Sequence, residues 1–580
     1  MKKDILVLFL FIGLTVMMTY PRSVHLTNTI DDKGDPLLNT WILAWNIHKL
    51  TTGMDDYFDG NIFHPHKNVL AYSEYLFASS LLALPVVVIS KNPILGYNFV
   101  WFLSFVLSGW GMYLLVNYLV RDRLAGIIAG IIFAFFPFRF DQLPHLQMLT
   151  AQWIPFTFLY LHKFFRNTSY KNILLFTLFY ILTVLSCGYY ALFVTFFIGL
   201  YMTAALLINN RELCFDYQLW LKLSLFVLIV VATTGPFFYQ YHVVKNDMGF
   251  TRSLGTTEYF SADITSYLYT YDLNRIYGKI NRIFMKAEGA LFPGITPIIL
   301  SVVGLWGCFS IYSPKSRLAA SMTAFKPSSF YNIPLKLLNL GIIVYIIVVS
   351  IIIFYGGFFI DIKNHHKDVV LMIKAARLEK AVSILTTLII IRCIISEKIM
   401  VAVKSFFINI LSGIPKIQSY YLGMLILAFL FTFGPVIHFF GKSIIYGPYM
   451  LLYYLIPGFD GLRVPSRFVI MVMFALCVLS GYGFKKIVKR FTNRKIHIAI
   501  CFFLSFLLLL EFFSAPLRFT YIKTGNDIPQ VYKWLSAIKE DVVVMELPMK
   551  DVWTEAPYMY YSTYHWKKLV NGFSGYYPYI

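Results

Sequence analysis

MKKDILVLFLFIGLTVMMTY at 1–20, continuing as PRSVHLTNTIDDKGDPLLNTWILAWNIH through residue 48, decides how the chain is read. Its basic start and its uncharged run after Asp4 describe a segment able to enter a bilayer. No small-x-small cleavage site precedes Pro21, so the run reads as a retained signal-anchor with its start in the cytosol. Just outside it come Asp31, Asp32 and Asp35, then an amphipathic helix over 36–50 carrying Trp41, Trp45 and His48. Pro36 suits a first helical position, which puts Asp35 at the N-cap. The tryptophans read as anchors at the membrane surface. The stretch therefore predicts a carboxylate fixed at the end of a rigid interfacial helix.

Composition supports the membrane reading. The 580 residues are 58% hydrophobic and 14% charged, with mean hydropathy +0.66, whereas a soluble domain carries about 25% charge. Aromatics at 18% suit apolar spans with belts at their ends. The net charge of +21 belongs to the loops of a membrane protein and is not a nucleic-acid signal. Six cysteines, Cys187, Cys214, Cys308, Cys393, Cys477 and Cys501, lie in or beside apolar segments and form neither a disulfide framework nor a metal-type spacing.

The fold class is an all-α polytopic integral membrane protein of about 13 transmembrane helices over 1–513, followed by a small extracytoplasmic α/β segment at 514–580. After span 4–20, the first outer loop runs over 21–95. Within it, 75–90 is apolar but short and broken by Pro85, and is read as not crossing. Spans follow near 96–119, 124–137, 147–163, 173–188, 189–208, 219–239, 293–312, 337–360, 380–396, 420–438, 467–484 and 496–513. The charge bias then places Arg121-Asp122-Arg123, Lys163/Arg166/Lys171, Lys315/Arg317, Lys398/Lys404 and KKIVKRFTNRK at 485–495 in the cytosol. This gives a multi-pass plasma-membrane protein with a cytoplasmic N-terminus and an extracytoplasmic C-terminus. In the tail, 527–539 reads as a short helix and 541–547 as a strand.

That topology collects charge on the outer side. Asp35 is joined by the turn PFRFDQLPH at 137–145, the outer loop 240–292 with Arg252, Glu258, Asp263, Arg275, Arg282 and Glu288, and GFDGLRVPSRF at 458–468. Carboxylates from separate loops can hold a hard divalent cation, Mg or Mn, and one of them can take a proton from an acceptor hydroxyl. Arginine's planar fork suits phosphate. Each residue also has a plainer reading. Asp35 serves as a helix cap, Asp31 and Asp32 as solvated loop acids, and Arg139 and Asp141 as an interfacial pair. His145 bonds a carbonyl, Arg463 and Arg467 snorkel to headgroups, and Glu511 reaches water from the end of its span.

The acidic loop after the first span, with Gly34-Asp35-Pro36-Leu37-Leu38-Asn39, and the second acidic turn RFDQLPH resemble the GT-C superfamily of membrane glycosyltransferases. HLQMLTAQWIPF at 145–156, EGALFPG at 288–294, GLRVPSRF at 461–468 and NGFSGYYP in the tail resemble a bacterial branch of it. The resemblance implies sugar transfer from a polyprenyl-phosphate donor to a glycan, lipid or protein acceptor on the outer face, with no nucleic-acid partner. By it, Asp35 and Asp141 would be catalytic, and Asp35, Asp141 and His145 would ligate the divalent metal. Arg252, Arg463 and Arg467 are the residues expected to contact donor phosphate. The turn departs from the family pattern in having one acid rather than an acid-x-acid pair. A flippase of lipid-linked saccharides and an inactive GT-C-like scaffold remain alternatives.

Overall fold

The computed structural model describes residues 2–209, 211–279, 284–309, 341–344, 346–347, 358–363, 369–375 and 416–578. The expected span at 380–396, most of that at 337–360, and the clusters Lys315/Arg317 and Lys398/Lys404 lie outside them, as does Arg282.

The helices in chain order are α1 (Lys2–Met18), α2 (Asp35–Thr52), α3 (Phe77–Ser90), α4 (Pro93–Val120), α5 (Arg123–Phe135), α6 (Pro137–Asp141) and α7 (Leu146–Leu149). They continue as α8 (Trp153–Arg166), α9 (Tyr170–Val184), α10 (Gly188–Thr203), α11 (Tyr217–Met248), α12 (Leu254–Tyr259) and α13 (Ile295–Phe309). After residue 415 come α14 (Lys416–Thr432), α15 (Tyr449–Leu455), α16 (Val469–Val488), α17 (Arg494–Phe512), α18 (Gln530–Ala537) and α19 (Val552–Ser562). The strands form two-stranded pairs: β1 (Thr29–Ile30) with β6 (Thr520–Tyr521), β2 (Phe358–Lys363) with β3 (Val369–Ala375), β4 (Val436–Phe439) with β5 (Lys442–Tyr446), and β7 (Val543–Val544) with β8 (Lys568–Leu569).

Among the described residues six helices are long and apolar enough to cross a membrane, and four shorter apolar ones accompany them. Two of the six present their apolar side chains outward. Val227, Leu228 and Val231 of α11 and Phe502, Phe503 and Phe506 of α17 are all more than half exposed, as lipid-facing residues must be. The chain is therefore a predominantly helical, multi-pass membrane protein. Two expected spans are divided. Residues 147–163 break between α7 and α8, and 420–438 ends at Thr432 before the β4–β5 hairpin. The expected strand 541–547 shortens to two residues, and α11 runs on to Met248, trimming the outer loop from its start.

The bundle core is built on close backbone approach. Where α13 crosses α16, a Cβ on Gly483 would lie 1.8 Å from the Leu300 carbonyl oxygen, and one on Gly304 would lie 2.5 Å from that of Leu479. Ser301 and Ser480 bond across the same seam at 3.0 Å, the small-residue packing that holds helices together in lipid. We expect Gly483→Ala to destabilise the protein by about 1–3 kcal/mol, because backbone cannot move aside as a side chain can. Thermal unfolding in detergent checks this, with Gly423→Ala, where a Cβ meets nothing within 4 Å, as the neutral control.

The tail does not stand apart. β6 pairs with β1, the backbone of Leu569 bonds Asn61, and the Asn61 side chain reaches Ser562 and Lys567. Helix α19 covers α2, and this overturns the reading of α2 as an interfacial helix. Trp41 and Trp45 are 1% and 5% exposed, and their indole N–H groups donate to Asn61 and to the Tyr57 carbonyl. The apolar stripe that would anchor an isolated helix in lipid is here buried by protein. The tail and the first outer loop consequently share one side of the bundle.

Candidate functional site: a charged cleft at one end of the bundle

The N-terminus of α2 is capped by Gly34, with no side-chain cap, and Asp35 is the first helical residue. This corrects the N-cap placement of Asp35 and leaves its carboxylate free of backbone. Asp32, not Asp35, accepts the Gly34 N–H, at 2.8 Å. Asp31 is no solvated acid either, because it pairs with the fully buried Arg22, which also donates to Asn98 and lies on the Trp101 ring. This buried knot fixes the strand leading into α2.

The Asp35 carboxylate meets Nε2 of His145 at 3.0 Å. The other ring nitrogen, Nδ1, lies 3.0 Å from Oε1 of Gln142. The Gln142 amide nitrogen donates to Asp141 at 3.1 Å and to Glu288 at 3.2 Å, so its oxygen must face the imidazole. Both ring nitrogens thus face oxygen atoms, which fixes the ring between Asp35 and Gln142. Glu288 in turn takes a two-pronged bond from Arg467, at 2.6 and 3.3 Å. Arg467 packs over the Tyr189 ring, and the Tyr189 hydroxyl accepts the Arg463 backbone N–H. A continuous chain of contacts therefore runs from Asp35 through His145, Gln142 and Glu288 to Arg467, joining loops far apart in sequence.

Burial pushes the Asp35 carboxyl up, but the His145 bond and charge, with Arg467 and Arg463 behind it, outweigh that and hold it below the ordinary range. The positive end of α2 acts in the same direction. Glu288 is likewise raised by burial and brought below its usual value chiefly by Arg467. Glu74, which accepts the Gly188 N–H at 2.8 Å, is pushed up by burial instead. The cleft so combines two acids held below the ordinary range, Asp35 and Glu288, with two that burial raises, Glu74 and Asp141, the latter to about 6 with the Glu288 charge adding to the effect. Asp35 is the open one, its side chain 35% exposed.

The other candidates separate clearly. Arg463 lies over the Phe260 ring and has no carboxylate partner among the described residues. Arg252 is engaged elsewhere, donating to the Gly575 carbonyl and stacking on Tyr576, which places it on the tail rather than in the chain of contacts. Arg139 does not pair with Asp141. It is buried on the Phe105 ring with Ser104 and Ser108 as its partners. Glu258 pairs with His438, Asp263 caps a turn and holds Gly441, and Arg275 bonds the Ala515 carbonyl. Glu511 accepts the backbone N–H groups of Ile295 and Thr296 at the start of α13, a structural cap and not a catalytic acid.

The expected metal set does not assemble. Both nitrogens of His145 are occupied, and among the described residues no group of three or more His, Cys, Asp or Glu side chains could hold a metal ion. The donor set of Asp35, Asp141 and His145 accordingly does not fit a resident Mg or Mn, and no step below runs through one. Reading the sequence residue by residue missed Gln142, Glu74 and the bridging role of Glu288. One sequence signal was available for Glu288, which opens the quoted EGALFPG stretch; its left-handed backbone, φ 55°, appears only in the structure.

Fold and cleft together define a class: a multi-pass helical membrane protein whose connecting loops meet in a charged cleft at one end. Within that class, the chain belongs to the family described as Domain of unknown function (DUF6311), whose model matches residues 62–378. No curated protein matches the chain.

Proposed function

We propose that the protein is a membrane glycosyltransferase of GT-C type, moving a sugar from a polyprenyl-phosphate-linked donor to an acceptor at the outer face of the plasma membrane. One observation carries the reading: Asp35, ionised and open, is held by His145 in a cleft that also contains Arg463, which has no carboxylate partner among the described residues. A transferase of this kind needs a carboxylate to take the acceptor hydroxyl's proton and a cation to stabilise the departing phosphate. Asp35 supplies the first, oriented by His145. Arg463 supplies the second, because Arg467 is committed to Glu288 and Arg252 to the tail. In the transfer the acceptor oxygen bonds the anomeric carbon, the bond from that carbon to the phosphate oxygen breaks, and the acceptor's proton passes to Asp35. The lipid phosphate leaves with the electron pair.

The arginine-rich loop ends are assigned to the cytosol by their charge, which puts the cleft outside. A flippase would instead carry ionisable groups midway along its spans, whereas the charges of this cleft sit at helix ends and loops. Mass spectrometry of surface glycans tests the proposal. A strain lacking the protein should lose a defined sugar or branch and accumulate its lipid-linked precursor, and an unchanged glycan profile would refute it.

A further inference from the structure

The end of the bundle away from the cleft holds a second site. α5 and α6 connect the two ends, spanning 19 residues from Arg123 to Asp141, or about 28 Å. At the far end Arg121, Arg123, Arg166, Arg494 and His497 line a pocket of about 520 Å³, with Asp122 as its one acid. Asp122 is already used, since its carboxylate caps α5 through the N–H groups of Leu124 and Ala125. Four guanidinium groups from four different helix ends thus face one space.

Their positions matter. Arg123 and Arg494 are the first residues of α5 and α17, where the helix dipole disfavours a cation. Arg123 lies 3.9 Å from the Asp4 carboxylate, whereas Arg121, Arg166 and Arg494 have no carboxylate partner among the described residues, and an anion bound among them would offset their mutual repulsion. Arg121, in a left-handed conformation at φ 56°, makes the two-residue turn that brings the α4 and α5 ends together.

The pocket also opens into a groove. Asn117 and Tyr118 line both it and an adjoining space of about 450 Å³ walled by Trp110, Leu114, Phe156, Tyr160 and Phe179, and by Asp4, whose carboxylate is taken by the Tyr113 hydroxyl and by Arg123. Lys163 sits in this groove, its ammonium 4.5 Å from the Tyr160 ring centre. A channel that is mostly apolar, its one carboxylate already paired, running into a cluster of cations matches a molecule with a hydrocarbon tail and an anionic phosphate head.

We propose that this end of the bundle is a binding site for a membrane lipid whose phosphate head carries net negative charge, the head on Arg121, Arg166 and Arg494 and the chain along the groove between α4, α8 and α9. Basic pockets between helices recognise anionic headgroups in this way. The site is independent of the outer cleft, and its failure would leave the transferase reading untouched.

The test uses the full chain in detergent, titrated with phosphatidylglycerol and with phosphatidylcholine under native mass spectrometry. We expect phosphatidylglycerol to be retained at least tenfold more tightly, and the preference to fall several-fold at 0.5 M salt, as screened ionic contacts require. The triple variant Arg121→Gln/Arg166→Gln/Arg494→Gln should bring the two lipids within twofold, with unchanged thermal unfolding. Leu114→Trp, which fills the groove, should weaken the lipid alone. Glycerol phosphate, the head without chains, should bind far more weakly than the lipid. A salt-independent preference overturns the proposal, as does a folded triple variant that keeps it. Glycerol phosphate binding as tightly as the lipid would show a soluble-anion pocket and overturn it too.

Discussion

Asp35→Asn should reduce sugar transfer by about 10²–10⁴-fold while leaving the protein's amount in the membrane unchanged. The fold survives because the side chain caps nothing: Gly34 is the N-cap, and Asp32 holds the Gly34 N–H. An asparagine oxygen still accepts from Nε2 of His145, so the turn 142–145 keeps its place. What is lost is a group able to take a proton. The wild-type carboxylate is ionised at neutral pH, because His145, Arg467 and Arg463 outweigh its burial. An amide cannot replace it, so the loss should fall in kcat and not in donor binding. Quantitative glycan analysis of a strain carrying only the variant, beside an immunoblot of its membranes, checks both halves. Normal glycan at normal protein level would leave the scaffold reading standing and remove the catalytic one.

The same residue shows what could be read from the chain and what could not. Local chemistry was legible. Apolar runs marked the helices, Arg121-Asp122-Arg123 marked a tight turn, and acids beside the first span marked Asp35. Asp35 and Pro36 also fixed the start of α2 to within one residue, and the miss reflects two adjacent positions that both tolerate Asp. The fate of Trp41 and Trp45 was not legible. A buried tryptophan and an interfacial one share a local pattern, and only the fold-back of residues 552–562, some 500 positions later, distinguishes them. Span number suffered likewise at 147–163, where hydropathy averages over the break between α7 and α8.

The cleft divides the same way. Sequence singled out Asp35, Asp141, His145 and the two arginines because charge is conspicuous in an apolar chain. It could not pair them. Gln142 is silent as a letter, yet its amide sets which atoms His145 faces and joins Asp141 to Glu288. Arg463 and Arg467 looked equivalent at four residues' spacing. They differ because Glu288 claims one, and the Phe260 ring supports the other.

Glu288→Gln should therefore cost about 3–5 kcal/mol of stability, the amount expected when one partner of a buried ion pair is removed. The Arg467 and Glu288 side chains are only 5% and 11% exposed, so removing the negative charge leaves a buried guanidinium without its two-pronged carboxylate partner, with only the more distant Asp35 and Glu74 to offset it. Glutamine keeps the shape, and the loss reports charge rather than a cavity. Glu288→Gln/Arg467→Met should recover more than half of it, since an apolar side chain of similar volume needs no counter-ion. Transfer should stay low in the double variant, because Arg467 also helps hold Asp35 ionised. The pH dependence carries the sign. Glu288 has a folded value below its ordinary 4.5, so its contribution is complete above that pH and fades as pH falls through the lowered value. Thermal unfolding of wild type and Glu288→Gln should converge as the medium is acidified below about 4.5, and curves that stay parallel would mean that the pair does not hold this end of the bundle together.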